Sequence, residues 1–263
     1  LDILEKTGSI PSLERRILVT NSPRLLSMDS SRYPGLEIKK SGKDFHFGKK
    51  LFDIIEKYDL SKVLYAGGGS GVLFGEDDFT SIVDFLLEND NLSLANNFYS
   101  ADMIGFSPAK SILDFPPPRT DNGLGWLTRD AGLQPFEMKR GAKTELDLDS
   151  PVDLIPLKLS EIEPAKLKDY LASMDRGNTR IKEILPQFTN ENRRLVVAGR
   201  IGAATWSYLE RNAACHVDVI SEGRGSYGER GTNVNQSYIL GKLFEKYDPR
   251  SFIETLLDKG TAL

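Results

Sequence analysis

The residues best suited to chemistry lie in the run Glu145-Leu146-Asp147-Leu148-Asp149-Ser150-Pro151-Val152-Asp153-Leu154. Residues two apart on a strand point to the same side, so Asp147 and Asp149 are expected to aim at one point as a strand ends. Two carboxylates held together repel unless a cation neutralises them. A hard cation such as Mg2+ takes carboxylates together with substrate phosphates and water. Ser150 is placed to cap a helix that Pro151 starts. The competing reading is simple helix capping by Asp149 or Ser150, with Asp147 in solvent.

A second candidate is Gly67-Gly68-Gly69-Ser70-Gly71, which follows the apolar run Val63-Leu64-Tyr65-Ala66. Glycines let the backbone approach a ligand closely, and successive N–H groups can cradle a phosphate. The run lacks the Lys-Ser/Thr ending of a P-loop; its alternative is a flexible connection without a ligand. Asn96 and Asn97, with Ser100 and Asp102, follow another apolar run. Expected as an exposed polar pair, Asn96 and Asn97 carry amides that suit base or sugar edges, although Asn also simply makes turns. Asn122, in Thr120-Asp121-Asn122, is better suited to turn duty.

Further along, Val197-Ala198-Gly199-Arg200-Ile201-Gly202 and Glu222 imitate half of a dinucleotide fingerprint. The first glycine is missing, and tight helix packing at Gly202 is the preferred reading. The Gly/Arg stretch 221–231 suits either an anion-closing loop or a plain surface loop. His46, Cys215, Trp126 and Trp206 are read as packed side chains, and no Gly-x-Ser-x-Gly elbow is present.

These positions need elements to hold them. Strands are expected at 16–20, 63–66, 92–95, 103–106 and 133–138, with helices at 47–59, from Asp77, at 123–131 and from near Pro151. This alternation predicts an α/β fold, a doubly wound, mostly parallel Rossmann-like sheet. In such sheets ligands sit beyond the strands' carboxyl ends. Near residue 160 the texture changes. A charged helical stretch at 163–188 leads into strands at 194–198 and 216–220, with a helix at 203–212 between them. The expected organisation is one domain over 12–158 and a smaller α/β or α+β piece over 159–263.

Composition sets the class. The 263 residues are 40% hydrophobic and 27% charged, an ordinary globular balance. A net charge of −4 argues against a nucleic-acid partner. One cysteine and two histidines exclude a disulfide framework and a Cys- or His-rich metal centre. With no membrane-length apolar run and no signal-peptide pattern, the expectation is a cytoplasmic protein.

The segment Leu146-Asp147-Leu148-Asp149-Ser150-Pro151-Val152-Asp153-Leu154 resembles the D-x-D-T-P-x-D-L segment of small nucleotidyltransferases. These include the molybdenum-cofactor guanylyltransferases and the phospholactate guanylyltransferases, which share a Rossmann-like, GT-A-related fold. The resemblance covers about residues 15–157. It implies transfer of a nucleoside monophosphate from a nucleoside triphosphate to a small phosphorylated acceptor, with Mg2+ and release of pyrophosphate. It also implies a metal or phosphate role for Asp147 and Asp149; Asp102 is the substitute candidate for the family's further metal ligand, and Arg24 is the one obvious phosphate partner. The nucleotide would lie over Asn21 and Ser22 and over Gly67, Gly68, Gly69 and Ser70, with Asn96 and Asn97 nearby. Two positions depart from the family. The loop after the first strand, Thr20-Asn21-Ser22-Pro23-Arg24, is not glycine-rich, and glycines at 67–69 replace a metal-binding Asp. The 159–263 piece would supply an acceptor-binding lid or a homo-oligomer contact. The alternatives are a catalytically inactive nucleotide- or phosphometabolite-binding protein of the same fold, and an NAD(P)-dependent enzyme using 199–222.

Overall fold

Short β-branched and aromatic runs, well suited to a pleated and half-buried surface, form the strands of the first of two units. The computed structural model describes residues 1–159, 165–173, 182–199, 201–221, 239–258 and 261–262. Contacts divide the chain into Leu1–Met174 and Asp175–Leu263.

In the first unit, β1 (Arg16–Thr20) and β2 (Leu36–Lys40) pair in parallel as a small sheet of their own. A second sheet has the order β3-β5-β4-β6, from β3 (Val63–Ala66), β5 (Met103–Ser107), β4 (Leu92–Ala95) and β6 (Gln134–Glu137). The α/β class holds, but this sheet is small and mixed rather than mostly parallel. β5 runs antiparallel to both β3 and β4, while β4 and β6 are parallel. Connection length explains the difference. A parallel crossover needs a dozen or more residues, and only residues 96–102 separate β4 from β5. The chain must therefore turn straight back. In consequence the carboxyl ends of β3, β4 and β6 and the amino end of β5 share one edge of the sheet.

Helices cover both faces. Alternation along β5 sends Ile104 and Phe106 into a cluster with Leu51 and Ile55 of α3 (Phe47–Lys57) and Leu124 and Leu127 of α5 (Leu124–Asp130). Met103 faces the other way, against Phe79, Ile82, Val83 and Leu86 of α4 (Glu76–Glu88). The Asp78 carboxylate accepts the Gly75 N–H at 2.7 Å, closing the first turn of α4. His46 caps α3 by accepting the Lys49 N–H. The unit also takes in Ile10 near its start. At its other end α7 (Leu154–Leu159) and α8 (Ala165–Ser173) pack Leu157 and Leu171 with Val72.

The second unit has three parallel strands in the order β8-β7-β9: His216–Ser221, Arg194–Gly199 and Thr261–Ala262. The helix Ala203–Asn212 connects β7 to β8, as its sequence pattern predicts, and Cys215 is buried. Arg200, Glu222 and the Gly/Arg stretch 222–231 lie outside the described residues. Among the described residues no helix is long and apolar enough to cross a membrane.

One packing contact fixes the site-bearing loop. A Cβ at Gly125, inside α5, would lie 2.1 Å from the Phe98 carbonyl oxygen, so only glycine lets residues 96–102 sit against this helix. Gly125→Ala is expected to lower stability by about 1–3 kcal/mol through overpacking. The helix-propensity gain of about 1 kcal/mol only partly offsets that cost. Gly105→Ala, whose Cβ would meet the Leu86 side chain rather than fixed backbone, is expected to cost less. Urea unfolding of both variants checks the order.

Candidate active site

The glycine loop leaves β3 at the shared sheet edge and is clasped from two sides. On one side the Gly67 N–H donates to the Asp102 carbonyl at 2.7 Å. The Ser70 hydroxyl donates to the carbonyls of Asp102 and Gly67 at 2.9 and 3.1 Å. On the other side the Leu148 N–H donates to the Gly69 carbonyl at 3.2 Å. A Cβ at Gly69 would lie 2.7 Å from Asp147 Oδ1 and 2.8 Å from the Leu148 carbonyl oxygen. Glycine is required there because the chain approaches itself closely, where the sequence had suggested approach to a ligand. The N–H groups of Gly68 and Gly69 donate to no partner among the described residues. Ser70, 2% exposed, is a brace beneath the loop.

This clasp gathers negative charge. Burial pushes the Asp102 carboxyl up to about 6, and the charges of Asp147, Asp121 and Asp149 add to the shift. Burial also raises Asp147, followed by the charge of Asp149. The Tyr65 hydroxyl donates to Asp121 Oδ2 at 2.7 Å. Burial and then Asp121, Asp102 and Asp147 hold that phenol well above its ordinary range. The charges of Asp121 and Asp149 thus bear on both Asp102 and Asp147 beside a five-residue loop. Lys143, the nearest preceding cation in the chain, is held by Asp78 at 2.7 Å.

The predicted residues fall into three groups. Gly67, Gly68, Gly69, Ser70, Asp102, Asp147 and Asp149 come together. Asp147 and Asp149 do so from an irregular segment after the short helix Ala142–Glu145, not from a strand. The next helix starts at Leu154, and Ser150 is not its cap. Instead Asp153 Oδ2 accepts the N–H groups of Asp149 and Ser150 at 3.1 and 2.6 Å and the Ser150 hydroxyl at 2.9 Å. The Asp153 carboxylate, by taking these three donors, holds the acidic turn in a local side-chain-to-backbone loop ahead of the helix.

Asn96 and Asn97 belong to the frame. Asn96 is only 5% exposed, against the expectation of an exposed pair. Its amide donates to the Thr144 carbonyl at 3.0 Å, accepts the Met103 N–H at 2.9 Å and steadies the Asp102 carboxylate. Asn97 accepts the Tyr99 N–H at 3.1 Å in an Asx turn.

Asn21, Ser22 and Arg24 sit at the carboxyl end of β1, where the Ser22 N–H donates to Thr20 Oγ1 at 3.1 Å. Arg24 is in the short helix Pro23–Leu26, and its guanidinium has no hydrogen bond or ion pair among the described residues. Tyr65 and Asp121 are the additional members. They are 56 residues apart, so no local pattern pairs them, although Thr120-Asp121-Asn122 does stand out as a polar turn after the proline loop.

An all-oxygen donor set in which burial and neighbouring charge raise Asp102 and Asp147 suits a hard divalent cation. Among the described residues no three His, Cys, Asp or Glu side chains are already drawn into a ligating arrangement. The chain matches no known protein family and no curated protein.

The second unit has a cavity of about 360 Å³ lined by Ile201, Gly202, Ala203, Trp206, Val219 and Ser221. The Ser221 hydroxyl accepts the Ile201 N–H at 3.0 Å and donates to its carbonyl at 2.8 Å, tying the β7 loop to β8.

A carboxyl with a raised folded-state pKa contributes stability below its unfolded value of 3.8, and that contribution is lost as pH rises through about 6. Without divalent cations, stability is expected to fall across this window, and Asp102→Asn is expected to flatten the fall. Urea melts through the window check this; an unchanged slope in the variant contradicts it.

Proposed function

We propose that the first unit is a Rossmann-like nucleotidyltransferase domain that moves a nucleoside monophosphate from a nucleoside triphosphate to a small phosphorylated acceptor. The observation that carries this reading is the convergence of Asp102, Asp121, Asp147 and Asp149 on the glycine loop at the β3 edge. Such crowding is unfavourable by itself and becomes favourable around a cation that brings polyphosphate. The acidic turn's resemblance to that of the small guanylyltransferases adds to it.

In this reading Asp102, Asp147 and Asp149 hold Mg2+. Bound there, the metal supplies neutralising charge to the triphosphate and to the pyrophosphate leaving group. The free N–H groups of Gly68 and Gly69 suit phosphate oxygens, and the unpaired Arg24 guanidinium suits the triphosphate from the β1 loop. An acceptor phosphate oxygen attacks the α-phosphorus, and the bond to the bridging oxygen of the β-phosphate breaks. The acceptor is already ionised, so no general base is required. Tyr65 orients Asp121 through its hydrogen bond, and Asn96 holds Asp102 from beneath.

A second reading is a phosphometabolite-binding protein that has lost turnover. It is favoured by the glycines at 67–69, where the resembling enzymes place a metal Asp. Pyrophosphate release separates the two readings: binding with no release supports the second.

A ligand raises the melting temperature with the logarithm of its excess over Kd. Nucleoside triphosphate with Mg2+ is expected to raise it, and either component alone to do so less. Asp147→Asn combined with Asp149→Asn is expected to abolish the Mg2+-dependent part. A thermal-shift screen checks this, and an unchanged shift in the double variant removes these carboxylates from the site.

A further inference from the structure

Beside the carboxylates stands an aromatic group that the proposed chemistry leaves unused. Tyr99 lies in the link between β4 and β5, three residues before Asp102, and is 65% exposed. Lone exposed rings are common on proteins, but this one stands on a built base. Its ring centroid is 5.3 Å from Trp126 and 5.7 Å from Phe98, and those two are 5.4 Å apart. The Arg129 guanidinium lies 4.3 Å from the Trp126 centroid. Both neighbours meet Tyr99 at steep angles, 64° and 87°, and neither stacks flat against it.

The backbone carrying Tyr99 is pinned on each side. The Phe98 N–H donates to Glu137 Oε1 at 3.2 Å, and the Tyr99 N–H donates to Asn97. The Ser100 hydroxyl donates to Asn122 Oδ1 at 2.6 Å. Gly125 admits the Phe98 carbonyl where no larger residue would. The same restraints lead directly to the charged site. The pinned link ends at Asp102, and Asn122 follows Asp121, the partner of Tyr65. An exposed ring on a link this well restrained, three residues from Asp102, is preorganised to bind, because little entropy is left to lose.

We propose that Tyr99, supported by Trp126 and Phe98, is the stacking platform for a planar aromatic ring of the substrate whose phosphates bind at the glycine loop. This rests on the reading of that loop as a cation and polyphosphate site. The ring is either the nucleobase of the triphosphate or an aromatic group on the phosphorylated acceptor.

The test compares Tyr99→Ala and Tyr99→Phe with the unaltered chain by titration calorimetry, using nucleoside triphosphates, phenyl phosphate and inorganic tripolyphosphate, each with Mg2+. Stacking on an aromatic side chain predicts roughly tenfold weaker binding of the ring-bearing ligand to Tyr99→Ala. Tripolyphosphate binding is expected to be unchanged, and Tyr99→Phe to behave as the unaltered chain. A loss for nucleoside triphosphates assigns the ring to the base, and a loss confined to phenyl phosphate assigns it to the acceptor. Equal affinity for both ring-bearing ligands overturns the proposal, as does an equal loss for tripolyphosphate.

If tripolyphosphate fails to bind the unaltered chain, the phosphate reading fails. The platform is then judged by unphosphorylated nucleosides and by phenol in a Trp206→Phe background, where Trp126 is the sole tryptophan of the original two. Quenching that Tyr99→Ala removes supports the platform, and no quenching overturns it.

Discussion

Asp102 and Asp147 sit partly buried beside one glycine loop, and burial first, then neighbouring negative charge, makes their ionisation costly unless positive charge joins them. Near a protein surface, two like charges about 4 Å apart repel by roughly 4 kcal/mol at an effective dielectric of ~20. The chain nevertheless builds this arrangement from three separate segments. The backbone carbonyl of Asp102 receives both the Gly67 N–H and the Ser70 hydroxyl. The backbone of Leu148 is tied to Gly69, and the phenol of Tyr65 holds Asp121. Neutral groups do the positioning, and among the described residues no ion pair relieves Asp102 or Asp147. Even Lys143 is committed to Asp78.

The architecture makes that convergence unavoidable. Because the β4–β5 link is too short for a crossover, β5 reverses and begins at the edge where β3, β4 and β6 end. The glycine loop, the Asn96–Asp102 link and the acidic turn therefore meet. The amide of Asn96 couples them further: it receives the first N–H of β5, reaches the Thr144 carbonyl and touches the Asp102 carboxylate. The link that delivers Asp102 also carries Tyr99, so ring and charge are placed by one set of restraints.

Much of this was legible in the amino acids. Apolar runs marked β1, β3, β4, β5 and β6, and the 3.6-residue spacing of Leu51, Ile55, Ile82 and Leu86 marked the covering helices. The glycine loop, Asp102 and the Asp147-Asp149 pair were readable as chemistry-bearing types. The direction of β5 was not read, because strand patterning is blind to polarity; the seven-residue link held that information. The Tyr65–Asp121 hydrogen bond spans 56 positions and leaves no local trace. Asn96 looked exposed because a polar residue after an apolar strand has that appearance, whereas a buried sheet edge needs such an amide to satisfy the backbone. The irregular path of Asp147 and Asp149 was hidden for a similar reason, since their alternation with leucines imitates a strand.

The most direct measurement is a carboxyl-carbon NMR titration of Asp102, alone and with saturating Mg2+ and nucleoside triphosphate. The account predicts a midpoint near pH 6 for the free protein. With the cation bound, that midpoint should move below the ordinary aspartate range. An Asp102 midpoint that stays in place when the cation and nucleotide are added would contradict the claim that this cluster exists to receive them.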